Sequence, residues 1–173
     1  ASYPTSYIPT YSVSATRAQD VCNKTDASDV IGQTEGTMFL EIKGFKNGGL
    51  SRRFTISDGS LNNRVALELD EISSRVRAYI VGGGANDGNL DIDGIDQTQN
   101  HKIGIVYNGS SIKMSIDGST PSSLSTSVVT SGMDRIQFFN SASVSNEMFG
   151  MIKQTMIFST ALTDSELATL TTI

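Results

Sequence analysis

This 173-residue chain has no tryptophan, one cysteine (Cys22) and one histidine (His101). A single cysteine cannot close an internal disulfide, and one cysteine with one histidine cannot build a zinc ligand set. Lys and Arg number 13 against 18 Asp and Glu, and the basic residues form no cluster, so no nucleic-acid footprint is present. No apolar run approaches the roughly 18 residues of a membrane-spanning helix, which excludes membrane insertion by that route. The first residue is Ala1, with no basic-then-apolar leader pattern after it, so we expect a cut-out domain or a processed piece. What the chain does have is Ser and Thr, at 41 positions or roughly a quarter of the total. Its length suits one domain, large enough to hold a core without staples.

Short stretches of period-two alternation recur, while helical periodicity is nearly absent. Thr37–Lys43, Arg53–Ser57, Arg64–Asp70, Arg75–Val81, Lys102–Tyr107, Ser111–Asp117, Arg135–Asn140 and Met148–Phe158 read as strands. Val65, Leu67 and Leu69 share one face of their strand, as do Val76, Ala78 and Ile80. Ile103, Ile105 and Tyr107 then face Ile112, Met114 and Ile116 across Asn108-Gly109, a hairpin signal in which positive φ is expected. Near the end, Thr163 followed by Glu166 is a capping box, with Leu162, Leu167 and Leu170 as an apolar stripe. The expectation is an all-β chain: a two-sheet antiparallel β-sandwich with a short C-terminal helix. Residues 1–18 differ, since Tyr3, Tyr7 and Tyr11 fall on one side of an extended chain; we expect a strap there and the sandwich over 19–173.

Two stretches carry a resemblance. Ser2-Tyr-Pro-Thr-Ser-Tyr-Ile-Pro-Thr10, continuing through Ala15-Thr-Arg-Ala-Gln-Asp-Val21, resembles a segment that precedes sandwich modules in bacteriophage structural proteins. The landmarks His101–Tyr107, Ser115-Ile-Asp-Gly118, Gly150–Phe158 and Ala161-Leu-Thr-Asp-Ser-Glu-Leu167 are similar to those of laminin-G-like, concanavalin A-like jelly rolls. The resemblance implies a jelly roll and a place on a virion surface or outside the cell. Function is not implied by the fold alone, because lectins, adhesion modules and hydrolases share it.

The hydrolase reading needs Glu-x-Asp-x-Glu on one strand face. Here Glu68-Leu69-Asp70-Glu71 brings the third carboxylate one position early, onto the opposite face, so we expect no catalysis. His101 has no Ser or Cys partner in a motif, which argues against a triad. Asn89, Asp91 and Asp93, before Gly94, echo the start of a calcium loop, while Asn100 stands where the closing bidentate Glu belongs; the other reading is a strand with Leu90 and Ile92 buried. Cys22 reads as a small buried hydrophobe.

Arg64, Glu68, Arg75, Arg77, Tyr79, Lys102 and Lys113 all lie opposite the apolar positions of their strands. If the strands are neighbours in one sheet, the result is a mixed-charge, arginine-bearing face suited to sugar hydroxyls and carboxylates; otherwise it is a solvated surface. Phe45 is either a stacking residue at a loop tip or an anchor for that loop. The expected function is non-catalytic binding of a surface polysaccharide, alongside other virion proteins and in a homo-oligomer, a trimer if in a fibre. Alternatives are a structural decoration or oligomerisation domain, or a binding module from a polysaccharide-degrading enzyme.

Overall fold

Alternation decides which side of each strand meets the core, and the computed structural model shows the two layers that result. It describes residues 21–45, 51–70, 74–148 and 150–173; the expected strap with its three tyrosines, and Glu71, lie outside the described residues. The strands are β1 (Asn23–Lys24), β2 (Gly36–Lys43), β3 (Arg52–Ser57), β4 (Arg64–Leu69), β5 (Arg75–Val81) and β6 (Asn89–Asp93). They continue as β7 (His101–Asn108), β8 (Ser111–Ile116), β9 (Ser122–Ser125), β10 (Arg135–Gln137) and β11 (Met151–Phe158), followed by α1 (Asp164–Leu170). A six-stranded sheet has the order β1-β10-β3-β4-β5-β6, and a five-stranded sheet the order β11-β2-β7-β8-β9. All pairings are antiparallel.

The core lies between the sheets. Phe54, Ile56, Val65, Leu67, Leu69, Val76, Ala78 and Ile80 come from one side, and Met38, Leu40, Ile42, Ile103, Ile105, Tyr107, Ile112 and Met114 from the other. Those from β4, β5, β7 and β8 are the inward positions read from the alternation. Phe54 and Phe138 stack with centroids 4.9 Å apart. Tyr107 is fully buried, and its hydroxyl donates to the Gly32 carbonyl at 2.6 Å. Burial pushes that phenol well above its ordinary range.

The β7–β8 hairpin forms where Asn108-Gly109 predicts it, by a different device. Neither Gly109 nor Ser110 takes a positive φ. The Asn108 side chain instead accepts from the backbone N–H of Ser110 (3.0 Å) and Ser111 (2.9 Å), an Asx turn. Helix α1 starts with the expected box: Thr163 Oγ1 accepts from Glu166 N–H, and the Glu166 carboxylate accepts from Thr163 N–H at 2.9 Å. That bond holds the Glu166 carboxyl below the usual range. Leu167 is the fully buried residue of the helix. On the edge strand β11, the register with β2 slips between Ile152 and Gln154, leaving Lys153 in a bulge with its ammonium 3.0 Å from the Glu41 carboxylate. Cys22 is exposed, contrary to expectation, because it lies just before the two-residue edge strand β1. Among the described residues no helix is long and apolar enough to cross a membrane.

Candidate functional site

Residues directly opposite each other on antiparallel strands share a face, so strand register determines which charges meet. On the outer side of the six-stranded sheet, Arg53 of β3 faces Glu68 of β4, Glu68 faces Arg77 of β5, and Arg77 faces Asp91 of β6. Four strands thus contribute one charged residue each to a single row. Arg53 Nε donates to Glu68 at 2.8 Å, and Arg77 grips Asp91 with two bonds, at 2.8 and 3.1 Å. Beside this row Arg75 faces Asp93 and donates to it at 2.7 Å. Asp70, one residue past β4, lies 2.9 Å from an Arg77 Nη and 3.9 Å from an Arg75 Nη.

The acids sit deep and the bases reach out. Glu68 and Asp70 side chains are 3% and 4% exposed, while those of Arg53, Arg75 and Arg77 are 21–22% exposed. Hydrogen bonding from Arg77 holds the Asp91 carboxyl below its usual range, and the same bond raises the Arg77 guanidinium. Arg75 is raised in the same way by Asp93. Burial works against charge on Arg53, but the bond and charge of Glu68 outweigh it.

The next two rows are less polar. Ala66 faces Tyr79 in one, and Arg64 faces Val81 in the other. The Arg64 guanidinium carbon lies 5.3 Å from the Tyr79 ring centroid, a cation–π distance. Tyr79 is only 5% exposed, and this burial raises its phenol. The segment after β10 crosses the β3–β10 side of the face: Thr55 Oγ1 donates to the Phe139 carbonyl at 3.0 Å and Gln137 Nε2 to the Ser141 carbonyl at 3.3 Å.

Of the residues singled out from sequence, Arg64, Glu68, Arg75, Arg77 and Tyr79 come together here. Lys102 and Lys113 do not. They stand on β7 and β8 in the five-stranded sheet, where Lys102 Nζ donates to the Thr172 carbonyl and Lys113 Nζ pairs with Asp164, both beside α1. Alternation identifies outward residues but not which sheet they belong to. Phe45 is not a stacking residue at a loop tip: it is fully buried, its backbone N–H donates to the Gln97 carbonyl, and Arg52 lies 5.9 Å from its ring. It is the anchor of the two readings.

Asn89, Asp91 and Asp93 form the outer face of β6 with Leu90 buried between them, so the strand reading holds over the calcium loop. Alternate residues of a strand are spaced about 7 Å apart, too far to converge on one ion, and both aspartates are held by arginines. Among the described residues no group of three or more His, Cys, Asp or Glu could hold a metal. His101 is a strut rather than a catalytic base: Nδ1 lies 2.6 Å from Asp117 and Nε2 2.8 Å from the Asp96 carbonyl.

The sequence reading missed the part played in this row by Arg53, although it lies opposite Phe54 and Ile56 in the same alternation. It reads Asp70 as an outward carboxylate and as part of an incomplete catalytic set, not as a partner of the arginines.

No protein-family model matches the sequence, and a search among curated proteins finds no match. Solved structures do resemble it. The carbohydrate-binding module (CBM40) of the Ruminococcus gnavus IT-sialidase, bound to α2,3-sialyllactose, superposes with TM-score 0.66 at 14% identity, covering 81% of this chain and 84% of that one. The heptameric SAP-like pentraxin of Limulus polyphemus gives 0.62 at 13% identity, with 90% and 83% covered. The LG1-3 region of the laminin α2 chain gives 0.59 at 15% identity, with 82% and 31% covered. The fold is a jelly-roll β-sandwich. At these identities the likeness extends no further than the fold.

Proposed function

We propose that this chain is a non-catalytic carbohydrate-binding or adhesion module that recognises a surface glycan on the outer face of the six-stranded sheet. The observation that carries the reading is the cross-strand row Arg53–Glu68–Arg77–Asp91. Its guanidinium groups are fixed by carboxylates beneath and beside them, yet remain about one-fifth exposed. Each arginine has five N–H donors, so donors remain for sugar hydroxyls, already oriented by a rigid sheet. A jelly roll of this shape carries a sialylated sugar in the R. gnavus module, which supports glycans as the ligand class. The non-catalytic part is supported by Glu68 and Asp70, both engaged by arginines.

The finer setting rests on the resemblance of Ser2–Thr10 to bacteriophage surface proteins. We place the module on a tail fibre, tailspike or virion surface, outside the cell, where many copies would multiply a weak affinity. A glycan array with the purified chain tests the reading. Capture of at least one surface glycan is expected, weakened about tenfold or more by Arg77→Ala with Tyr79→Ala. An array without captured glycan, or capture indifferent to both substitutions, would end it.

A second reading, a decoration or oligomerisation domain contacting only protein, is favoured by the same pairing, since the charges of this row satisfy one another without a ligand. Stable oligomers in light scattering, together with an empty array, would select it.

A further inference from the structure

Arg64 is the exception on this face. Arg53, Arg75 and Arg77 each hold a carboxylate at 2.7–2.8 Å. Among the described residues Arg64 has no carboxylate partner, and its Nε is buried without a hydrogen-bond acceptor. Its one polar contact among the described residues, Nη1 to Ser141 Oγ, is 3.5 Å long, at the outer limit of a hydrogen bond. The guanidinium carbon lies over the Tyr79 ring, 5.3 Å from its centroid. Its cross-strand neighbours are Ser57 and Val81, both uncharged, and the next residue of the row, opposite Ser57, is Arg135. Arg135 bonds Asp134, its own chain neighbour, at 3.2 Å. Asp58, at the end of β3, has its oxygens taken by Ser60 N–H and Asn63 Nδ2. Of the corner's two cations, Arg135 is paired with Asp134, and Arg64 is left without a carboxylate among the described residues. The Nη edge, whose contact to Ser141 Oγ is so long, is the part of the guanidinium suited to two-oxygen recognition of an anion.

We infer that the Arg64 corner is a subsite for an anionic group, a carboxylate or a sulfate, carried by the saccharide; this rests on the glycan-binding reading above. The half-buried guanidinium, backed by Tyr79, presents its Nη edge to the anion, with Ser141 Oγ beside it and Arg135 adding attraction from two strands away. Ligand choice on this face is then set by charge, and the internally paired rows contribute orientation.

The test uses three polymers as probes: polygalacturonate for carboxylate, dextran sulfate for sulfate and plain dextran as the uncharged control. Retardation in affinity electrophoresis is read at low and physiological salt, for wild type, Arg64→Gln, Arg64→Lys and, as a control on the other sheet, Lys113→Gln. The expected result is retention by one or both polyanions and not by dextran. Arg64→Gln loses at least about tenfold, Arg64→Lys keeps part, and Lys113→Gln is unchanged. Which polyanion is retained distinguishes carboxylate from sulfate. Retention by none, equal retention by dextran, or retention unaffected by Arg64→Gln would overturn the inference. Array capture of a glycan together with no Arg64-dependent polyanion retention would overturn it while leaving the glycan reading standing. Arg64-dependent polyanion retention with an empty array would do the reverse. The melting temperature gives a second readout. A ligand-binding Arg64 can become Gln with an unchanged or raised value, whereas a merely structural one lowers melting and leaves retention alone.

Discussion

On the outer face of the five-stranded sheet, Gly104 leaves a gap that a helix fills: a Cβ there would lie 2.5 Å from Leu167 Cδ1. At the same depth on the six-stranded sheet, Glu68 lies buried under charged neighbours from two adjoining strands. One face is closed by apolar packing, with Thr171 Oγ1 and Ser115 Oγ 2.9 Å apart at its edge; the other is closed by ion pairs. Apolar closure contributes stability in proportion to the area hidden. Ion-pair closure contributes less, because desolvation offsets much of the attraction, but it leaves oriented donors facing outward. The first face holds the fold together, and the second presents oriented guanidinium groups at the surface.

If that contrast is right, the helix face should be the more costly to damage. Leu167→Ala removes the residue that fills the Gly104 gap and should cost about 2–4 kcal/mol in chemical denaturation, within the range for buried leucines. Glu68→Gln leaves Arg53 without its buried counter-charge, while Arg77 keeps Asp70 and Asp91. Because Arg53 is part-exposed, we expect about 1–2 kcal/mol, below the loss for a fully buried pair. A larger loss for Glu68→Gln than for Leu167→Ala would invert the comparison.

Smaller still is the acid response. The Asp91 carboxyl is held below its usual range by the hydrogen bond from Arg77. Its contribution is therefore complete above the unfolded value, about 3.9, and is lost as pH falls through the lower folded value. Melting temperature followed from neutral pH into acid should fall more gently below about pH 4 in Asp91→Asn than in wild type. The difference should stay under about 1 kcal/mol because the pair is part-exposed. The smallest expected effect is none: with Asp91 and Asp93 held by arginines, a chelator should leave melting unchanged.

What could be read from the sequence follows from where each piece of information resides. Alternation is local, so the inward residues of β4, β5, β7 and β8 and the outward position of Arg64, Glu68, Arg75, Arg77 and Tyr79 were legible. The capping box at Thr163 and Glu166 was legible for the same reason. Sheet membership is not local: Lys102 and Lys113 alternate like Arg75 and Arg77 yet lie on the opposite side of the sandwich. Ion pairing needs register across strands far apart in sequence, so the arginine partners of Asp91 and Asp93 were hidden and the pair suggested calcium. Phe45 shows the same limit, because a glycine-rich neighbourhood looks like a loop tip whether or not its aromatic ring turns inward. The isolation of Arg64 is the least legible feature, since it depends on which carboxylates do not reach it.

The bulge at Lys153 bears on crowding. Strand β11 is the outermost strand of its sheet, and a continuous row of open backbone groups there would be a template for strands of neighbouring molecules. The slipped register, with Lys153 in the bulge, interrupts that row and twists the edge. Neighbouring copies brought edge to edge would thus find no continuous strand to extend, and their sheets stay separate.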